Sequence, residues 1–310
     1  MSHPPTPIIG RLAPSPTGAQ HLGNARTYLI AWLSARSGNG RVILRIEDID
    51  SPRVKPWAID QIHDDFRWLG LDWDDGPFLQ TARLASYEAA LAELKRRELV
   101  YPCTCSRTDI EQAASAPHLE HEPPRYPGTC ADRRVADAEN LVNYAWRLRT
   151  DATIHHWVDG CRGAQAMDAG GDFVVWKSAG TPAYQLAVVV DDAAMEVTEV
   201  VRGDDLAPST PRQLALYRMF GWTPPRFCHV PLVVGEDGRR LAKRHGDMRL
   251  SAYRAEGVSA ETILGQLAWS CGWLERPTPI SARDLLPMFR WAAIPREAFV
   301  VERLRTAGEG

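Results

Sequence analysis

No G-x-x-x-x-G-K-[ST] run occurs in the chain, which excludes an ordinary P-loop nucleotide site. No apolar stretch approaches the ~20 residues of a membrane-spanning helix. The opening MSHPPTP lacks both the basic and the apolar region of a secretory signal. Basic residues are not in excess, because 36 Lys and Arg stand against 39 Asp and Glu, for a formal charge of −3. A nucleic-acid partner would therefore meet a local basic face rather than a globally basic protein. Cysteines are few and uneven: Cys103, Cys105 and Cys130 cluster, while Cys161, Cys228 and Cys271 are scattered. With no export signal, such clustering favours thiols over disulfides and predicts a cytoplasmic protein without membrane contact. Internal repeats and long low-complexity tracts are missing too. What remains has the make-up of an ordinary globular protein, with 45% hydrophobic and 24% charged residues. Its 310 residues suffice for one large α/β domain or for a core with a sizeable insertion.

Strands and helices alternate at first. Ile8 and Ile9 read as a short buried strand, followed by a loop holding Pro14, Pro16 and Gly18, and a helix begins near Leu22. Leu22, Ala25, Leu29, Leu33 and Arg36 form a helical stripe expected to face the core. Gly38 to Gly40 end that helix, RVILRIED reads as a strand, and Asp48 to Pro52 turn the chain. Pro56 suits a helical first turn, with Ile59, Ile62, Phe66 and Leu69 on one face, and a third helix shows Leu84, Tyr87, Leu91 and Leu94. This alternation predicts a parallel sheet with helical crossovers.

The pattern changes at Tyr101. From there to Cys130 the chain is rich in Pro, Thr, Ser and His, with one short helix capped by Ser106. YAWRLR and ATIHHWV alternate as strands do, so residues 101–180 read as an insertion. At Tyr184 the apolar YQLAVVVDD resumes the core, and MEVTEVVRG follows as a strand. Ser209, Thr210 and Pro211 open a helix that Gly221 closes, and HVPLVV is another strand. The remainder reads as helical, with an apolar cluster of Ile263, Leu267 and Trp269 to Trp273.

Five places carry candidate chemistry. In GRLAPSPTGAQHLGN, Gly18 and Gly23 let backbone approach a ligand, and the helix start offers unpaired N–H groups to an anion. His21 beside it can donate to a phosphate oxygen; the plain alternative is a strand–turn–helix link with a solvated His. Glu47, Asp48 and Asp50 crowd the end of RVILRIED, where an acid can take an ammonium group; for Asp50 a solvated turn is the favoured reading. Arg202 in VVRGDDL either pairs with Asp204 or Asp205 or holds a carboxylate in a bidentate fork, and Arg11 is a similar case. The Gly235–Gly246 loop, GEDGRRLAKRHG, is a charged hairpin turn or a basic lid with glycine hinges. Cys103-x-Cys105 with Cys130 looks like a tetrahedral metal site short of one ligand, and His118, His121 and Tyr126 are candidates for it. General zinc chemistry favours a histidine.

In order, SPTGAQHLGN, RIEDID, the Cys/Tyr site, VVDD, VVRGDDL and LAKRHGD resemble the catalytic half of the glutamate-type class I aminoacyl-tRNA synthetases over nearly the whole chain. HLGN is similar to their "HIGH" signature. RLAKR falls where they carry "KMSKS", with Lys243 on the second lysine, Arg240 in place of the first and Ala242 in place of the serine. The resemblance implies an α/β fold: a Rossmann-like nucleotide-binding core, an inserted zinc-bearing α+β subdomain and a short helical C-terminal region. It divides the chain into 1–100, first half of the core; 101–180, zinc-bearing acceptor-type insertion; 181–234, second half; and 235–310, KMSKS-like loop and helical region.

By the same resemblance His21 and Lys243 would be catalytic. Arg11, Ala13, Ser15, Glu47, Tyr184 and Arg202 would bind L-glutamate. Pro14, Thr17, Gly18, His21, Gly23, Asn24 and Lys243 would bind ATP, which acts with Mg²⁺. The family pattern of C-x-C followed by Y-x-x-x-C matches Tyr126 to Cys130 and implies structural Zn²⁺ on Cys103, Cys105, Tyr126 and Cys130, with His121 as the fallback ligand. Because the chain stops soon after Trp273, it most resembles the branch without an anticodon-binding domain, the glutamyl-queuosine tRNA(Asp) synthetases. That implies a monomer acting on the queuosine-bearing anticodon arm of tRNA(Asp), with Arg133, Arg134, Arg239, Arg240 and Arg244 as candidate phosphate contacts. A truncated glutamyl-tRNA synthetase charging a 3′ end, or a non-catalytic zinc-bearing RNA-binding relative, are the alternatives.

Overall fold

The computed structural model describes residues 7–49, 53–106, 108–110, 125–239, 241 and 248–301. The first elements alternate as expected: β1 (Ile9–Leu12), α1 (Leu22–Ser37), β2 (Arg41–Ile46), α2 (Pro56–Trp68), β3 (Asp75–Leu79) and α3 (Leu84–Arg96). Strands β1, β2 and β3 form a parallel ladder in that order, with Leu12 opposite Leu44. Side chains of β2 alternate between the two sides of the sheet, as a strand requires. Val42, Leu44 and Ile46 join Leu22, Leu29 and Trp32 of α1 and Phe66 of α2 in one core. Ile43 instead joins Tyr87, Leu91 and Leu94 of α3 in a second core.

Helix α1 departs from the simple stripe. It is buried nearly all round, including Arg26, Ile30, Trp32 and Ser34. Arg36 does not face the core: it pairs with Asp72 at 2.8 Å and Asp74 at 2.7 Å and lies over the Trp32 ring. A helix under a sheet and against further helices loses its solvent face, and a two-dimensional stripe cannot register that.

Between the halves of the core, β4 (Val100–Cys103), β5 (Ala145–Leu148) and β8 (Phe173–Trp176) form an antiparallel sheet in the order β4-β5-β8. Strands β6 (His155–Asp159) and β7 (Gly163–Met167) make a separate hairpin. Trp146, Leu148 and Phe173 from this segment pack in the second core.

The core resumes with α4 (Tyr184–Ala194), β9 (Glu199–Gly203), α5 (Thr210–Phe220) and β10 (Arg226–Val230), and β9 runs parallel to β10. YQLAVVVDD is thus a helix despite its valine run, because α4 is buried along most of its length and tertiary packing overrides β-propensity. Gly221 ends α5 in the left-handed conformation at φ 71, the αL cap that glycine adopts without a Cβ penalty. HVPLVV is not one strand: Pro231, which cannot donate to a ladder, separates β10 from β11 (Val233–Val234). The two ladders meet at β1, where the Thr198 N–H donates to Ile9 O at 3.0 Å and Arg11 Nη1 donates to Val201 O at 2.8 Å.

After α6 (Leu250–Ala255) and α7 (Ala260–Ser270) the chain is less helical than its composition suggests. It makes short 3₁₀ turns and then β12 (Phe299–Val300), which runs parallel to β11. Among the described residues no helix is long and apolar enough to cross a membrane.

Candidate active site and thiol cluster

Apart from Arg11, which lies within β1, the residues singled out near the first strand lie beyond the carboxyl ends of β1 and β2, where open α/β sheets bind ligands. Ala13, Pro14, Ser15, Thr17 and Gly18 form the loop from β1 to α1, and Pro14 O accepts from the Glu47 N–H at 2.9 Å, tying that loop to the end of β2.

His21 is the N-cap of α1. Its Nδ1 accepts from the Gly23 N–H at 3.1 Å and the Asn24 N–H at 3.4 Å, and the Asn24 side chain returns a bond to the His21 N–H. An Nδ1 used as acceptor leaves the proton of the neutral ring on Nε2. His21 can therefore present an N–H donor beside a helix start, as its sequence position suggested. A Cβ on Gly23 would stand 3.1 Å from the His21 ring, so one reason for glycine here is internal packing. At Gly18 a Cβ would meet no protein atom within 4 Å.

The chain on either side of the Gly235–Gly246 segment meets this same turn. Leu22 N–H donates to Met248 O at 3.2 Å and Leu250 N–H donates to Gln20 O at 2.9 Å, just after the loop. Val233, just before it, would lie 3.5 Å from a Gly23 Cβ. Arg240, Ala242, Lys243 and Arg244 lie outside the described residues, as do Asp50, His118 and His121.

The acidic end of β2 divides its labour. Asp48 accepts from Thr81 N–H at 2.9 Å and Thr81 Oγ1 at 2.5 Å, so it fixes a turn. Glu47 sits 3.3 Å from Arg45 Nη2. Arg45 is fully buried and reaches Asp192 at 2.7 Å and Asp191 at 3.7 Å. Asp191 also accepts from Arg83 at 2.6 Å and from the Gln80 amide and Tyr87 hydroxyl, each at 2.8 Å. Burial pushes the Glu47 carboxyl above its ordinary value, against the pull of Arg45 and Arg11. An incoming ammonium group would supply further compensation.

Arg11 comes no nearer than 3.9 Å to Asp192, and its Nε has no hydrogen-bond partner among the described residues. Burial lowers its pKa despite Asp192. Tyr184, at the first turn of α4, keeps 37% of its surface exposed. Its hydroxyl end lies deep enough for burial to raise its pKa, and it feels the charges of Arg202, Glu47, Arg11 and Asp192. Arg11 bonds to the carbonyl of Val201, next to Arg202, and approaches Asp192, which Arg45 joins to Glu47.

Arg202 is paired with neither Asp204 nor Asp205. It is buried at the end of β9, where Nε donates to His229 Nε2 at 3.0 Å, Nη1 to Gln213 Oε1 at 2.8 Å and Nη2 to Thr210 Oγ1 at 2.8 Å. Among the described residues it makes no ion pair, so its charge stays available to a carboxylate. Arg45 opens the RIEDID run and Asp191 and Asp192 close VVDD, but none of the three was assigned a role from sequence, and His229, Gln213 and Thr210 carry no sequence signature of their own. VVDD was the one available hint, since paired acids in an apolar run need a buried base.

The thiol cluster is a second, separate site. Sγ atoms of Cys103, Cys105 and Cys130 all lie within 4.8 Å of one another, with Cys105 to Cys130 at 3.7 Å. Two thiolates on a tetrahedral ion at 2.3 Å would stand about 3.8 Å apart, so the sulfurs fit such an ion. The Tyr126 hydroxyl lies 3.4 Å from Cys103 Sγ and 3.6 Å from Cys105 Sγ. It also accepts from the Cys130 N–H at 2.9 Å, so it stands beside all three cysteines, and the thiol cluster could hold a metal ion. Burial opposes ionisation of Cys130, yet hydrogen bonds from the Thr104 backbone and from Tyr126 bring its thiol down to about 7. Burial and the thiols push the Tyr126 hydroxyl up, a cost that a coordinated cation would reverse. Ser106 and Asp109 exchange backbone–side-chain bonds at 2.7 and 3.2 Å, the cap anticipated there. Of the candidate phosphate contacts, Arg133 is half-buried and donates to Pro102 O and Thr104 Oγ1, whereas Arg134 and Arg239 are exposed.

Residues 7–277 match the family model for the catalytic domain of class I tRNA synthetases of the glutamate and glutamine type. That class agrees with the parallel ladders of the core. A solved glutamate tRNA ligase from Elizabethkingia meningosepticum, in complex with its amino acid, superposes with a TM-score of 0.82 at 25% identity, over 95% of this chain and 67% of that one. A Glutamyl-Q tRNA(Asp) synthetase of Rhodopirellula baltica is 50% identical over 95% of this chain and 96% of its own length. Another, from Symbiobacterium thermophilum, is 49% identical over 94% of each chain. The chain belongs to the glutamyl-Q tRNA(Asp) synthetase family within that class.

Proposed function

We propose that this protein activates L-glutamate with ATP and transfers the glutamyl group to queuosine in the anticodon of tRNA(Asp). The observation that supports the reading is Arg202, a buried cation with neutral partners at the end of β9, beside the strand that carries Arg11. Two arginines suit the two carboxylates of glutamate, and Glu47 suits its ammonium group. Glutamine would leave a buried guanidinium without a counter-charge, which supports discrimination against it. Ala13 and Ser15 line the amino acid side of the loop. Pro14, Thr17, Gly18, His21, Gly23 and Asn24 line the ATP side.

The chemistry needs no enzyme nucleophile. A glutamate α-carboxylate oxygen attacks the α-phosphorus of ATP, the bond to the bridging oxygen breaks, and pyrophosphate leaves. A queuosine hydroxyl then attacks the acyl carbon, gives up its proton, and AMP leaves. His21 Nε2–H and Lys243 meet the charge developing at phosphate, so catalysis is positioning and charge stabilisation. Mg²⁺ accompanying ATP supplies further neutralisation of the pyrophosphate.

Four further elements belong to the reading. The core comprises residues 1–100 and 181–234, with the insertion at 101–180 and the basic loop and C-terminal region at 235–310. Cys103, Cys105, Tyr126 and Cys130 hold one structural Zn²⁺, with every corner filled and none left for water. The protein acts as a monomer in the cytoplasm. Arg134, Arg239, Arg240 and Arg244 are the stronger candidates for tRNA phosphates, since Arg133 is already engaged.

ATP–pyrophosphate exchange with glutamate tests activation, and base-labile glutamate on a queuosine-bearing tRNA(Asp) stem-loop tests transfer. The same stem-loop with unmodified guanine is expected to stay unlabelled. Glutamate appearing on the 3′-terminal ribose of tRNA(Glu) would replace the queuosine reading with that of an ordinary charging enzyme. Metal analysis is expected to give about one equivalent of zinc, and less than about half would count against the thiol site.

A further inference from the structure

Arg202 is oriented from outside the strand that carries it. Its Nε donates to His229 Nε2, and an arginine can only donate, so that ring nitrogen must accept. The proton of neutral His229 therefore sits on Nδ1, which faces Asp159 Oδ2 in a short hydrogen bond. Asp159 ends β6, in the hairpin of the inserted segment, and lies 70 residues from His229 in sequence.

This arrangement is fixed at each joint. Asp159 Oδ1 accepts from the backbone N–H groups of Cys161 at 3.0 Å, Arg162 at 3.0 Å and His229 at 3.1 Å. Gly160 seats the turn on β10: its N–H donates to Phe227 O at 2.8 Å, and a Cβ there would come 2.3 Å from Cys228 Sγ. The His229 ring lies parallel to Phe227, and the Arg202 guanidinium sits over the Phe227 ring. Asp159, His229 and Arg202 are all at least nine-tenths buried. Burial opposes the Asp159 charge, but the bonds from His229 and the backbone outweigh it and hold the carboxyl at about 2. Burial lowers the His229 pKa, which keeps the ring neutral and able to accept.

We propose that Asp159, acting through the tautomer of His229, is a positioning residue that holds the Arg202 guanidinium toward the substrate carboxylate, so that the inserted segment completes the amino acid pocket. The proposal rests on the reading of Arg202 as a glutamate ligand. A carboxylate bonded directly to Arg202 would neutralise it and compete with substrate. Separating the two by an imidazole keeps the geometry and leaves the charge for the ligand. It is the logic by which a buried Asp sets the tautomer of a histidine in other enzymes.

Asp159→Asn separates this from general packing. Oδ1 is committed to three backbone donors, so the asparagine must keep its oxygen there and turn its amide N–H toward Nδ1. That forces the ring proton to Nε2, where it opposes the Arg202 Nε–H. In ATP–pyrophosphate exchange, the KM for glutamate is expected to rise about 10–100-fold, the usual scale for losing a partner that orients a functional group, while the KM for ATP stays near wild type. His229→Asn keeps a donor toward Asp159 but removes the acceptor for Arg202, and should behave like Asp159→Asn. His229→Gln keeps an acceptor at the reach of Nε2 and should lie closer to wild type, a contrast that bulk destabilisation would not produce.

Equal effects of His229→Asn and His229→Gln overturn the proposal, and so does a parallel rise in both KM values. If Asp159→Asn fails to fold, the His229 pair decides alone. Arg202→Lys is the control for the underlying reading. If it leaves the KM for glutamate within about threefold of wild type, the pocket assignment itself falls. If it raises that KM while the Asp159 and His229 variants do not, only the relay falls.

Discussion

The two halves of the core hold buried arginines in opposite company, Arg45 on β2 and Arg202 on β9. Arg45 stands among three carboxylates, from Glu47, Asp191 and Asp192, and Asp191 is further bound by Arg83, Gln80 and Tyr87. Arg202 is surrounded by an imidazole, an amide and a hydroxyl. Burial disfavours the Arg45 charge, but the carboxylates overcome this and raise its pKa. A saturated network of this kind makes a rigid wall. A buried cation with neutral partners is left with a charge that a ligand anion can satisfy. Of two arginines equally hidden from water, the one lacking a counter-ion is the better candidate for substrate contact.

The strongest way to break that contrast is to remove each cation in turn. Arg45→Met strands three buried carboxylates and is expected to lower stability by about 3–5 kcal/mol in denaturant unfolding. Arg202→Leu strands only neutral groups, two of which, Thr210 and His229, already lie 3.2 Å apart. It should lower stability by less than about 2 kcal/mol, yet raise the KM for glutamate about 10²-fold. If the stability costs are reversed, the division into wall and ligand is wrong.

Next in size is the basic loop, whose flanking residues meet the HLGN turn. Lys243→Ala should lower glutamate activation about 10²–10³-fold with little change in stability, the scale for losing one preorganised donor. Activity within about threefold of wild type would remove Lys243 from the site.

A smaller effect comes from an acid that mirrors Arg202. Asp65 on α2 is buried, its Oδ2 has no hydrogen-bond partner among the described residues, and burial pushes its carboxyl up to about 7, only partly offset by Arg254. Its folded value lies above the unfolded 3.8, so the native state binds the proton more tightly between those values. That contribution is complete at low pH and lost as pH rises toward 7. Asp65→Asn should flatten the fall in stability between about pH 4 and about pH 7, measured by denaturant midpoints. An unchanged slope would mean that Asp65 is ionised throughout. Smallest of all, Ala242→Ser should be neutral or mildly activating in pyrophosphate exchange, which would sharpen the view that Lys243 is the indispensable member of the loop.

Local chemistry made much of this protein legible in its sequence. Pro56 at a first turn, Gly221 at a C-cap, Ser106 at a cap, and His21 beside a helix start all act within a few residues of themselves. Side-chain preference and backbone geometry are there the same fact. The grouping of Cys103, Cys105 and Cys130 was also recoverable, because closely spaced thiols are a distinctive constellation, whereas Tyr126 was indicated only by the family pattern. Arg11, Glu47 and Arg202 stood out as charges at strand ends. The identity of their partners did not, since VVRGDDL offered Asp204 and Asp205 to Arg202 and the fold uses neither.

That choice depends on which distant residues the sheet brings side by side. His229 faces Arg202 because β10 runs parallel to β9 in the register that pairs those two positions. Asp159 reaches His229 because the inserted hairpin seats its Gly160 turn on β10. Register and hairpin placement are set by burial summed over whole elements, so no short window of sequence contains them. The sequence alone determined which charged groups were worth attention and the kind of chemistry they serve. Only the tertiary structure decided which of them are neutralised and which keep a charge for the substrate, because that depends on how far apart the fold leaves the buried groups and on how little water remains between them.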